Sequence, residues 1–110
     1  LNPYDRLALI RTGASWELPW RLTWPGACNS DIGALDHLSI LRRWHTRWRA
    51  EICGIDLDTL ELAVYQPPRD ENTSLAAALE SVLYCQDSWH GSLDDRATHM
   101  QGHCGGLWWD

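Results

Sequence analysis

The chain has 110 residues, 22% charged and 45% hydrophobic, which fits one globular domain over residues 1–110 and excludes a second domain or a disordered polymer. Its formal charge of −6 is set by 15 acidic residues against nine arginines and no lysine. That balance excludes a nucleic-acid backbone as the main partner, because phosphate binding needs a basic face. No apolar run approaches the length of a membrane span, so no membrane partner is expected either.

Eight tryptophans and three tyrosines stand beside no phenylalanine at all. Large aromatics dominate cores, but a core this small does not hide eight tryptophans, so one or two are expected to be partly exposed. The four cysteines, Cys28, Cys53, Cys85 and Cys104, form no CxxC pair and are far too sparse for a disulfide scaffold. With no signal-peptide pattern at the start of the sequence, free thiols in a reducing cytoplasm are the expectation.

In chain order, Arg6 to Arg11 is short, apolar and followed by Thr12-Gly13, which reads as a strand. Residues Leu18 to Trp24 alternate Leu18, Trp20, Leu22 and Trp24 with Pro19, Arg21 and Thr23. Pro19 and Pro25 argue against a helix there, so a second strand is expected. A loop follows from Pro25 to Gly33. Asp36 then suits the N-cap of a helix running through Arg49, with Leu38, Leu41, Trp44, His45 and Trp48 on one arc of about 120°. Residues Glu51 to Ile55 and Thr59 to Tyr65, joined by Asp56-Leu57-Asp58, predict an antiparallel hairpin that Pro67-Pro68 stops.

Asp70 and Glu71 place negative charge at the start of a helix from about Thr73 to Tyr84. Its predicted buried stripe is Leu75, Ala78, Leu79, Val82 and Leu83. Ser92, with Asp95 three positions on, begins a shorter helix that Gly102 ends. The apolar Leu107-Trp108-Trp109-Asp110 reads as a final strand, whose two tryptophans point to opposite faces. The order β-β-α-β-β-α-α-β predicts an α+β domain. It has one antiparallel-rich sheet with helices packed on one face, arranged as a split βαβ in the ferredoxin-like manner. Leu38, Leu41, Trp44, Leu60, Leu62, Val64, Leu79, Val82 and Leu83 are expected to share its core.

A family resemblance is carried by Leu41-Arg42-Arg43-Trp44-His45-Thr46-Arg47-Trp48, then Asp58-Thr59-Leu60-Glu61-Leu62 and Pro67-Pro68. Glu80, Tyr84-Cys85-Gln86-Asp87 and the terminal Trp108-Trp109-Asp110 complete it. In this order the motifs resemble a bacterial family known as domain of unknown function 4253, over nearly the whole chain from about Tyr4. His45 stands where that pattern has Glu, Ser81 where it has His, and Gln86 where it has Pro. The resemblance implies the fold and no activity; an acid/base site built from that Glu and His would be lost here.

Three constellations bear on chemistry. His99, His103 and Cys104 lie close in sequence, and the i, i+4 imidazoles share a helix face, as a metal site needs. Gly102 interrupts that helix, so scattered histidines and no bound metal are expected. Cys85 has Asp87 and His90 nearby, but a helix C-terminus has the wrong dipole sign for activating a thiol, so a packed, inert cysteine is the expectation. Arg42, Arg43, Arg47 and Arg49 either grip an anion or form a solvated face.

No cofactor is implied. The leading expectation is therefore a non-enzymatic module that binds a protein or self-associates, of the small acidic immunity or antitoxin kind. Its candidate contact residues are Arg43, Trp44, Arg47, Glu80, Asp87, Trp108, Trp109 and Asp110. The alternative is a small enzyme or ligand binder using Arg43, Arg47, Glu80 and Asp87 around a Trp-lined pocket.

Overall fold

Asp36 does not cap the long helix from outside; it sits within the first turn, where its carboxylate accepts the Gly33 N–H at 2.9 Å. In the computed structural model, which describes residues 6–89 and 91–109, this helix α2 spans Ala34–Trp48. It ends at Arg49, which takes a left-handed conformation (φ 53°, ψ 45°) and turns the chain straight into the sheet. The buried stripe is His37, Leu41, Trp44 and Trp48, spaced as one helix face requires. Leu38 and His45, both expected in that stripe, are only half-buried beside it.

Strands β1 (Ala50–Ile55) and β2 (Thr59–Val64) form the expected antiparallel hairpin, with Ile52 opposite Leu62 and Ile55 opposite Leu60. The register slips between Ile52 and Gly54, leaving Cys53 as the extra residue of a bulge. A Cβ at Gly54 would lie 2.8 Å from Glu61 Oε2, the movable end of an exposed side chain, and 3.3 Å from Glu61 Cβ. Strand β3 (Cys104–Trp108) pairs antiparallel with β2, Leu107 opposite Leu60, to give a three-stranded sheet in the order β1-β2-β3.

Between β2 and β3 come two helices. Helix α3 (Glu71–Tyr84) is capped by Asp70, whose carboxylate accepts from the Thr73 N–H at 2.8 Å and the Thr73 hydroxyl at 2.7 Å. Helix α4 (Leu93–Met100) is capped by Ser92 through the Asp95 N–H at 3.1 Å. Leu60, Leu62 and Leu107 bury one face of the sheet against Leu41, Trp44, Trp48 and Tyr84. Glu61, Cys104, Gly106 and Trp108 leave the other face open to solvent. The domain is α+β, with its helices on one side of the sheet.

Three expectations need correction. Residues 6–12 form no strand and are largely exposed. Leu18 to Trp24 is not a strand: a 3₁₀ turn at Ser15–Glu17 leads into the short helix α1 (Leu18–Arg21), and a turn follows. Pro19 lies in the first turn, where a missing N–H costs nothing, so the proline starts a helix instead of forbidding one. Without these two strands, the fourth strand that a ferredoxin-like sheet requires is not among the described residues.

The third correction is the face of α3. Its buried residues are Ser74, Ala77, Ala78, Ser81 and Tyr84, whereas Leu79 and Leu83 are 49% and 65% exposed. Small residues let α3 lie close against α4, and both serines find partners. The Ser74 hydroxyl donates to the Asp70 carbonyl at 2.7 Å and accepts from Gln101 Nε2 at 3.0 Å. Ser81 accepts from Arg96. Leu60→Ala should therefore cost about 2–5 kcal/mol in a urea titration, as truncation of a fully buried leucine does. Leu79→Ala should cost less than about 0.5 kcal/mol; equal losses would contradict this rotation of α3.

Candidate functional site

Trp24, His37, Tyr84 and Trp109 pack together, edge to face except for the tilted Trp24–His37 pair. Ring centroids lie 5.1 Å apart for Tyr84 and Trp109, 5.2 Å for Trp24 and His37, and 5.6 Å for His37 and Trp109. Trp109 Nε1 donates to the Tyr84 carbonyl at 3.1 Å, and Trp24 Nε1 to the Asp56 carbonyl at 2.6 Å. His37, fully buried, shares a 2.5 Å hydrogen bond between Nδ1 and the Tyr84 hydroxyl, while its Nε2 has no partner. Burial pushes this imidazole down to about 4, against the weaker opposing pull of the Asp36 carboxylate. Burial likewise raises the Tyr84 hydroxyl well above its ordinary value, so both groups are neutral at pH 7.

The residues expected to form a site are dispersed. Arg43 Nε donates to Glu80 Oε1, an ion pair that joins α2 to α3. Arg47 lies on the outer side of α2, where Ser39, Arg42, Arg43, Thr46 and Arg47 edge a shallow open groove. Asp87 is half-buried in a 3₁₀ turn at Gln86–Ser88. Trp44 and Trp109 are core residues; Trp108 points outward and is 44% exposed. Asp110 and His90 lie outside the described residues. The tryptophan-lined cavity therefore borders neither Arg43 nor Arg47: its walls include Trp44, Trp48, Ser81 and Arg96.

His99, His103 and Cys104 do not converge. His99 stacks at 5.8 Å on Trp89, while His103 Nδ1 bonds the Val64 carbonyl at 2.9 Å. Among the described residues, no three His, Cys, Asp or Glu side chains are placed to hold a metal ion. Nor, among those residues, is any helix long and apolar enough to cross a membrane.

The motif-bearing segments thus occupy successive elements: the arginine helix is α2, the Thr59-Leu60-Glu61-Leu62 strand is β2, and the terminal tryptophans close β3. A family model described as "Domain of unknown function (DUF4253)" matches residues 6–110. The chain belongs to the DUF4253 family. No curated protein and no solved structure matches it.

In this DUF4253 domain, one polar cluster was not legible in sequence. Ser15 donates to Glu51 Oε2 and accepts from the Ile52 N–H at 3.0 Å; His45 Nδ1 lies 3.1 Å from Glu51 Oε1. The carboxylate sits between serine and imidazole, so the imidazole does not take the serine proton as a nucleophilic relay requires. The cluster ties the Ser15 turn to β1 and to the end of α2.

All four thiols are free; Cys28, Cys53 and Cys104 are exposed and Cys85 is buried. Cys85 donates to the Trp108 carbonyl at 2.9 Å, and burial pushes its thiol up. A maleimide should label three thiols of the native domain within minutes and Cys85 only on unfolding, as mass spectrometry over time would read. Fast labelling of Cys85 would contradict its packing.

His37 gives a second test. Its proton is bound more readily by the unfolded chain, so stability falls as pH drops from about 6.5 to about 4. The loss approaches on the order of 3 kcal/mol at the lower limit. His37→Gln should remove that slope from urea titrations run across the window; an unchanged slope assigns the acid sensitivity elsewhere.

Proposed function

We propose that this domain is a non-enzymatic protein-binding module, working in a reducing cytoplasm, whose contact surface is the outer ridge of α3. The supporting observation is the exposure of Leu79 and Leu83 on a helix whose inner face is already closed by small residues. Exposed Ala76 continues the ridge toward the helix start. A contiguous apolar patch on a small domain marks an interaction surface more often than it serves stability.

Charge specifies the partner's chemistry. From Asp70 to Asp95 the chain carries six carboxylates (Asp70, Glu71, Glu80, Asp87, Asp94 and Asp95) and no arginine or lysine. The segment that carries the ridge is thus acidic, with Glu80 paired to Arg43 of α2, which favours a partner presenting an apolar groove with a basic rim. A small acidic protein that covers a basic surface acts in the manner of an immunity protein or antitoxin. Neutral partners would gain the apolar contact without the electrostatic steering.

The test is a photo-crosslinking side chain placed at position 83, and separately at position 47, in the source cells. Position 83 should give one adduct of defined mass that high salt weakens, and position 47 should not. With the partner purified from that adduct, the double variant Leu79→Glu, Leu83→Glu should abolish binding while shifting stability by less than about 0.5 kcal/mol. Adducts confined to position 47, or binding that survives the double variant, would reject the ridge as the contact.

A further inference from the structure

The two edges of the sheet are guarded unequally. Along β1, the Ile52 N–H points away from β2 and donates to Ser15 Oγ at 3.0 Å, and the bulge at Cys53 breaks the line beyond it. That edge is interrupted. Along β3, bonds from the Val64 N–H to the His103 carbonyl and from the Trp109 N–H to the Asp58 carbonyl set the phase. With Gly105 opposite Leu62 and Leu107 opposite Leu60, the backbone groups of Cys104, Gly106 and Trp108 point away from β2. The Ser88 hydroxyl accepts from the Trp108 N–H at 2.6 Å and donates to the Trp108 carbonyl at 3.0 Å. The outward groups of exposed Cys104 and Gly106 have no partner among the described residues.

Beside this open edge the core is incomplete. Gly105 faces inward, in phase with buried Leu107, yet a Cβ built there meets nothing within 4 Å. The adjoining cavity of about 30 Å³ is walled by Leu62, Val64, Met100 and Leu107 and reaches exposed Gly102 and Gly106. It has room for roughly two small groups, such as the branched end of a leucine. A strand added to β3 would set one inward side chain beside Gly105, over this gap.

The chain also carries a strand-like segment that has no sheet. Leu7 and Leu9 are 90% and 105% exposed, and residues 6–10 join no ladder. As a strand, the segment would place both leucines on one face. The β3 edge of the same molecule is out of its reach. Ser15 sits outside β1, so a strand outside β3 lies four strand spacings away, about 19 Å. The chain from Ser15 back to Ile10 spans at most about 18 Å when fully extended. It is shorter than that here, because the Thr12 hydroxyl and the Gly13 N–H both donate to Glu17, at 2.8 and 3.0 Å. An edge that this segment can join belongs to another molecule.

We infer that two copies of this chain exchange residues 6–10, each adding them as a fourth strand to the β3 edge of the other. Cys104 and Gly106 supply the backbone bonds. Leu7 and Leu9 face the core side, one of them filling the gap at Gly105. The exchange is reciprocal, as a two-fold pair requires. Charge favours it, since the segment brings Arg6 and Arg11 to a molecule of net charge −6. This contact is separate from the α3 ridge, and either can fail without the other.

Sedimentation equilibrium of the full chain over a concentration series should show a monomer–dimer equilibrium with a limiting mass twice 12.6 kDa. Amide exchange at Cys104 and Gly106 should slow as the dimer forms. The double variant Leu7→Glu, Leu9→Glu should weaken the dimer more than about tenfold. It should leave the melting temperature of the monomer unchanged, because neither leucine is packed there. Gly106→Pro removes an outward N–H that β2 does not use, and should weaken the dimer as well; if that variant fails to fold, the leucine variant carries the test. Leu79→Glu with Leu83→Glu should leave the dimer constant as it is. A chain that stays monomeric at every soluble concentration overturns the inference. So does a dimer that survives the leucine variant, that only the ridge variant dissolves, or that leaves exchange at Cys104 and Gly106 unchanged.

Discussion

Tyr84 sets the rotation of α3, and much of the molecule depends on that rotation. Its ring packs against Trp44, His37 and Trp109, and its hydroxyl shares a hydrogen bond with His37. Each such aromatic pair contributes about 0.5–1.5 kcal/mol beyond the area it buries. With Tyr84 turned inward, helical spacing also turns Ser81, Ala77 and Ser74 inward and leaves Leu79 and Leu83 outside. A helix with two stripes of opposite character thus takes the less hydrophobic one into the core, because its last residue is held from three sides.

Trp109 carries the same constraint to the end of the sheet. Its N–H donates to the Asp58 carbonyl at 3.0 Å and its indole N–H to the Tyr84 carbonyl at 3.1 Å. The hairpin turn, the last turn of α3 and the exit of β3 are therefore joined through one residue. Trp108, one residue earlier, faces the open side of the sheet, as strand alternation requires.

The elements most legible in sequence were those where periodicity and end signals agreed. Helix α2 had its apolar stripe, the β1–β2 hairpin its alternation and proline stop, and α4 its Ser92 cap. Where two rules competed, the reading of the sequence failed. Pro19 reads as a breaker in sequence, although a proline in a first helical turn is well placed. In α3 the leucines outweighed the serines because hydrophobicity was counted without the partners that later satisfy Ser74 and Ser81. Arg96 gave no signal, since an arginine flanked by Asp94, Asp95 and Thr98 reads as solvated. The candidate contact residues were largely visible as residues, but not as neighbours. Arg43 and Glu80 meet across 37 positions of sequence, and Trp44 and Trp109 prove to be core.

The two places where this chain breaks ordinary packing rules have a common origin. Small residues on the inner face of α3 bring α4 near enough for Arg96 to reach Ser81, which buries the guanidinium against that hydroxyl and the Trp89 ring. The same rotation puts Leu79 and Leu83 into water. Had the leucines turned inward, their bulk would separate α3 from α4, return the guanidinium to solvent and remove the apolar ridge. Both departures lower the stability of the isolated domain, and a chain that keeps such departures usually does so at positions that serve function. Tyr84 and its aromatic neighbours are thus the support on which an exposed ridge and a buried cation are both held in place.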